Sequence, residues 1–134
     1  MNGTPEIYEK TIEVKASDLD ELKHVNNVQY VQWIQDIAKE HWEKRASREI
    51  LDTNFWVVVR HEIDYKQQAF LEDELTIQTF VGEHTHVTSQ RHVNIIHKAS
   101  GKTLVKAKST WCLMDYKTKK PVKISPEMLR VFYK

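Results

Sequence analysis

From residue 28 to residue 44 the apolar positions recur at helical spacing. At about 100° per residue, Tyr30, Val31, Trp33, Ile34, Ile37, Ala38 and Trp42 fill one half of the wheel. Gln29, Gln32, Gln35, Asp36, Lys39, Glu40, Glu43 and Lys44 fill the other. The apolar sector is wider than a minimal amphipathic stripe and carries two tryptophans, so this helix calls for a sheet around it. Period-two alternation supplies the strands. Before the helix, Ile12, Val14 and Ala16 alternate with Thr11, Glu13 and Lys15. After it, Val57, Val59, His61, Ile63 and Tyr65 share one face, and Leu75, Ile77, Thr79 and Val81 share another. Gly82 with the following Glu-His-Thr reads as a turn, and the stretch from His86 to His97 is β-rich but mixed. Ala99-Ser100-Gly101 makes a hairpin turn, followed by a long strand with Val105, Ala107, Ser109, Trp111 and Leu113 on one face. Ser125-Pro126-Glu127 opens a short terminal helix, with serine as N-cap and proline at the first helical position.

Strand, long helix, then four strands in succession predicts an α+β domain with an antiparallel sheet. The 134 residues suffice for one domain, 1–134, with a core that needs no disulfide or metal staple. Twenty Lys and Arg against nineteen Asp and Glu leave no basic excess that would point to nucleic acid. Cys112 is the only cysteine, which excludes an internal disulfide and fits a reducing compartment. The start, MNGTPEIYEK, has no apolar signal core, and nowhere do about 18 apolar residues run together as a membrane span requires. The expectation is a soluble, cytoplasmic protein without a membrane partner.

The densest polar chemistry stands at the entrance of the long helix, in D-L-D-E-L-K-H-V-N-N-V-Q-Y-V-Q-W-I from Asp18 to Ile34. This stretch strongly resembles the D-x-D-x-x-x-H-V-N-N-x-x-Y pattern of acyl-ACP thioesterases and their single-domain bacterial relatives, within the 4-hydroxybenzoyl-CoA thioesterase superfamily. The element order is similar to a hot dog from end to end. The stretch "IDYKQQAFLEDELTIQT" resembles the family's D-Y-x-x-P-A-x-x-x-D-x-L strand pair, with Gln68 at the usual proline. The resemblance implies a hot-dog fold, an antiparallel sheet wrapped around a long central helix. It also implies hydrolysis of acyl-CoA or acyl-ACP thioesters with water and no metal or organic cofactor. Hot dogs also include dehydratases and non-catalytic acyl-CoA-binding proteins, and these are the alternatives.

On the same resemblance Asp20 is the catalytic acid and His24 the histidine of H-V-N-N, while Asn26 and Asn27 cap the helix or orient substrate or water. The chemistry is compatible. Thioester hydrolysis needs a base or nucleophile near the carbonyl carbon and donors where its oxygen gains charge. The amides around Asn27 and Val28, at the positive end of the helix, offer those donors. Asp20, ionised at neutral pH, is available to attack the carbonyl or to activate water. Two departures stand out. Leu22 replaces the asparagine that plant acyl-ACP thioesterases place two residues after the aspartate, and Glu21-Leu22-Lys23 replaces the glycine-containing loop of 4-hydroxybenzoyl-CoA thioesterases. Plant enzymes carry two hot dogs per chain, so a single one predicts a homodimer, or a dimer of dimers, that completes the substrate cleft.

Other residues have two readings each. Tyr30 lies on the apolar side, as core first and substrate contact second; with Trp33 it offers surface for an alkyl tail. His61 shares its face with valines and isoleucine, as a satisfied core histidine or a wall of the substrate site. Arg91, Lys106 and Lys108 suit the phosphates of CoA, or an acidic carrier protein, at the cleft mouth, or else a solvated strand face. His84, His86 and His92 share strand parity but lack acidic or cysteine ligands at a metal-binding spacing. Cys112, mid-strand, reads as packing rather than as a nucleophile.

Overall fold

The computed structural model describes residues 3–134. The long helix α1 (Asn27–Arg45) starts where Asn26 caps it, its Oδ1 accepting the Val28 N–H at 2.9 Å. That bond satisfies one of the first-turn amides that have no acceptor within the helix. Lys44 and Arg45 lie in the last turn, where positive charge favours the helix end. Ser47 then caps α2 (Arg48–Thr53), its Oγ accepting the Ile50 N–H at 3.2 Å. The terminal α3 (Pro126–Arg130) has the expected serine cap, Ser125 accepting from the Met128 amide at 3.2 Å.

The strands are β1 (Tyr8–Glu13), β2 (Asn54–Tyr65), β3 (Glu74–His84), β4 (Thr88–His97) and β5 (Thr103–Asp115), in the spatial order β1-β3-β4-β5-β2. All pairings are antiparallel. One face of this sheet lies against α1. Tyr30, Trp33, Ile34 and Ile37 of the helix form a single core with Leu75, Ile77, Val93, Ile95, Val105 and Ala107 of the three inner strands. A second cluster around Trp42, Ile50, Val81 and Phe132 closes the far end of the helix.

The pattern reading is corrected at three places. Ladder pairing ends at Glu13, so Ala16 falls in a 3-10 turn over Ala16–Asp18, although Val14 stays buried. β2 carries a bulge: Val58 pairs with Trp111 and Arg60 with Thr110, leaving Val59 as an extra, exposed residue. A bulge inverts side-chain parity. Directly opposed residues share a face, so His61, Ile63 and Tyr65 join the inward side through Ser109, Ala107 and Val105. Before the bulge the inward residues are Asn54, Trp56 and Val58, not Val57. Gly82 lies within β3 rather than in a turn, which comes after His84. The His92 ring, stacked on Phe80 at 5.1 Å, lies over Gly82 so closely that a Cβ there would meet Nε2 at 2.7 Å.

Candidate active site

The chain enters α1 through a tight loop. Leu19 and Val25 form an isolated antiparallel bridge. Between them the Asp20 N–H donates to the His24 carbonyl at 2.8 Å, and the Lys23 N–H donates to the Asp20 carbonyl at 3.0 Å. Lys23 takes a φ of 65°, the left-handed region that side chains with a Cβ seldom occupy. The Asp20 carboxylate holds the tip together: Oδ1 accepts the Leu22 N–H at 2.9 Å and the His24 N–H at 3.2 Å. Oδ2 has no donor among the described residues. One oxygen thus fixes the orientation of the carboxylate.

The 66–73 connection between β2 and β3 braces this loop from beneath. Val25 donates its N–H to the Ala69 carbonyl at 3.0 Å, and Ala69 donates its own to the Tyr30 hydroxyl at 3.1 Å. His24 meets the Phe70 ring edge-on at 5.4 Å. Asn26 is tied as well, its N–H donating to the Asp18 carbonyl at 2.9 Å. Of the two amides that sequence reasoning offered to an oxyanion, Val28's is taken by the cap. The Asn27 N–H and side chain have no partner among the described residues. Leu22, Val28 and Phe70 are each at least half exposed around this entrance, an apolar rim on a polar loop.

The remaining expected residues lie elsewhere. Tyr30 and Trp33 are core, 2 % and 8 % exposed, so neither offers the free surface for an alkyl tail that the helical wheel suggested. The Gln35 side-chain amide donates to His61 Nε2 at 3.2 Å, which leaves the proton on Nδ1, 2.6 Å from Ser109 Oγ. Burial lowers the His61 pKa, favouring the neutral ring. Gln35 lies eight residues along α1 from Asn27, about 12 Å at the helical rise, so His61 does not stand beside Asp20 in this chain. Arg91 is corrected outright: it is not at a cleft mouth but 6 % exposed. Its Nη1 donates to His41 Nδ1 at 2.9 Å and to Thr79 Oγ1 at 3.2 Å. Burial lowers it to about 9, still protonated at neutral pH. Lys108 pairs with Glu62 at 3.5 Å on the outer side.

A cavity of about 530 Å³ opens between the second half of α1, α2, and strands β2 and β5. Gln32, Lys39 and Arg48 stand at its rim, and Trp42, Trp56 and Trp111 among its walls.

Residues 5–132 match the model of the acyl-ACP thioesterase N-terminal domain family. The chain belongs to that family. It is 26% identical over 119 residues to the long-chain acyl-CoA thioesterase FadM of Escherichia coli, covering 87% of this chain and 90% of that protein. The fold matches YbaW, a probable thioesterase from Escherichia coli, with a TM-score of 0.85 at 25% identity, over 94% of this chain and 98% of that one. It also matches a putative oleoyl thioesterase from Lactobacillus plantarum, with a TM-score of 0.86 at 18% identity. That match covers 96% of this chain and 51% of the other. The architecture is a hot-dog fold, and the chain is a thioester hydrolase of the acyl-CoA and acyl-ACP class.

In this thioesterase the sequence pattern missed His41, a polar residue of α1 that is 0 % exposed. Its Nε2–H donates to Glu6 Oε1 at 2.7 Å while Nδ1 accepts from Arg91. Burial, opposed only in part by Glu6, lowers its pKa to about 4. The signal was available, because 41 continues the apolar series 30, 34, 37. Glu6 also takes two bonds from Arg45, at 2.7 and 3.1 Å, and these hold its carboxyl down at about 2. Cys112 is buried. Among the described residues no three His, Cys, Asp or Glu side chains converge as metal ligands, and no helix is long and apolar enough to cross a membrane.

Proposed function

We propose that Asp20 is the catalytic carboxylate of this thioesterase and that the amide of Asn27, at the start of α1, receives the developing oxyanion. The observation that carries this is the two-sided Asp20 carboxylate. Oδ1 is tethered by two loop amides while, among the described residues, Oδ2 has no donor and the Asn27 N–H at the helix start has no acceptor. Preorganisation of this kind is worth most when it costs no rearrangement as charge develops. Oδ2 then either attacks the thioester carbonyl or takes a proton from water that does so. His24, held edge-on against Phe70, and Asn27, whose side-chain amide has no partner among the described residues, are the groups we assign to orient the water or the thioester oxygen.

The substrates proposed are acyl-CoA or acyl-ACP, and the working unit a homodimer or a dimer of dimers. One observation supports the dimer: β2 is an edge strand of twelve residues, and long unpaired edges invite isologous pairing with a second copy.

Asp20→Asn keeps the acceptor for the loop amides and removes the charge. Turnover of an acyl-CoA, read as released thiol, should fall by at least about a hundredfold with an unchanged melting temperature. A mutant with near wild-type kcat refutes the assignment. Light scattering at micromolar protein should give twice or four times the chain mass, and an active monomer would refute the dimer.

A further inference from the structure

Among the described residues, Arg91 is a buried cation without a counter-ion. Its bonds to His41 and Thr79 both leave from Nη1 and both end on neutral atoms, and the guanidinium carbon stands 4.5 Å from the centre of the Phe132 ring. Glu6, the nearest carboxylate in the network, is on the far side of His41 and already bonded by Arg45. Among the described residues no carboxylate pairs with Arg91, and its Nε and Nη2 make no bond. A guanidinium taken out of water in this way is strongly disfavoured unless an anion meets it.

The residue opens on the 530 Å³ cavity, a volume within the usual range for small-molecule sites. Trp111 lines the same cavity from the neighbouring strand. The register explains the juxtaposition, since Arg91 pairs with Ser109 and Ser89 with Trp111, which makes Arg91 and Trp111 diagonal neighbours on one face of the sheet. The walls beside them are aromatic, with Trp42, Trp56 and Phe132. One buried guanidinium among aromatic rings suits a single carboxylate on an apolar body better than a phosphate or a multiply charged headgroup.

We propose that this cavity binds the carboxylate end of a long-chain carboxylic acid, with Arg91 as its counter-ion. The proposal rests on the thioesterase reading only for its choice of ligand class. The carboxylate belongs either to a free fatty acid or to the distal end of a dicarboxylic acyl thioester.

The test uses intrinsic fluorescence, because three tryptophans line the cavity. Dodecanoate should shift the emission and bind at least tenfold more tightly than 1-dodecanol, in wild type and in Asp20→Asn alike. Arg91→Gln should bring acid and alcohol to parity. Equal affinity of wild type for acid and alcohol overturns the proposal even if Arg91→Gln fails to fold, and so does an undiminished preference in folded Arg91→Gln. Binding retained by Asp20→Asn keeps the outcome separate from the catalytic assignment. Among supporting results, faster turnover of a C16 dicarboxylic mono-CoA thioester than of hexadecanoyl-CoA, lost in Arg91→Gln, identifies the substrate's own distal carboxylate. Equal turnover with tight dodecanoate binding identifies a free acid as ligand.

Discussion

Acid should weaken this fold before its carboxylates titrate, and His41 is the reason. The folded chain takes up the His41 proton only at about 4, because the ring is fully buried and faces Arg91, whereas the ordinary histidine value is 6.5. Between those two pH values the unfolded state binds more protons, so stability is intact above 6.5 and is lost as pH falls toward 4. The full difference corresponds to about 3 kcal/mol, of which about 2 kcal/mol is gone between pH 7 and pH 5. Glu6 adds to the loss in a lower window, because its folded value of about 2 lies below 4.5, and stability from it disappears as pH falls through that interval. Urea denaturation at half-unit steps from pH 7 to 5 measures the His41 part. His41→Gln keeps a donor and an acceptor but cannot titrate, so its stability will start lower and its slope with pH should be much flatter. The buried fractions of His61 and His92 act in the same direction, which is why the wild-type minus variant slope is the readout. A wild-type curve that is level from pH 7 to 5, or a variant with the wild-type slope, refutes the reasoning.

Two further substitutions probe the helix entrance. Asn26→Ala removes the side-chain acceptor of the Val28 amide and should cost about 1 kcal/mol in urea denaturation; wild-type stability would show that the cap holds nothing. Tyr30→Phe leaves the buried Ala69 amide without an acceptor and should cost about 1–3 kcal/mol. An unchanged thermal melt would dissociate the 66–73 connection from the helix.

Those elements whose stability is local were legible in the sequence. α1 shows its period over more than four turns, and Ser125-Pro126 announces α3 by cap chemistry alone. The strands alternate wherever one face is buried and the ladder is regular. What stayed hidden depends on distant partners or on too few residues. α2 has six residues, too few for a periodicity, although Ser47 caps it as Ser125 caps α3. The bulge lies in Val57-Val58-Val59, where three equal β-formers give no hint of which one is extra. Gly82 looks like a turn because the reason for it, the His92 ring, arrives from β4. Arg91 looks solvated because its partners come from α1 and β3. At the site, Asp20 and the helix start could be picked out by motif, but not which amides the cap and the loop would consume. Only the geometry separates the free Asn27 N–H from the occupied Val28 one.

The extra residue at Val59 gives β2 two phases, and this makes the length of the strand informative in its own right. Removing Val59 would repair the ladder with β5 yet could not be a local event. Either His61, Ile63 and Tyr65 would turn away from the helix, or Asn54, Trp56 and Val58 would. A gap placed at this position when the chain is aligned with a relative therefore exchanges inside for outside over half a strand, however similar the flanking letters look. Comparisons of this edge should be anchored separately on either side of residue 59, because spacing there carries meaning that residue identity does not.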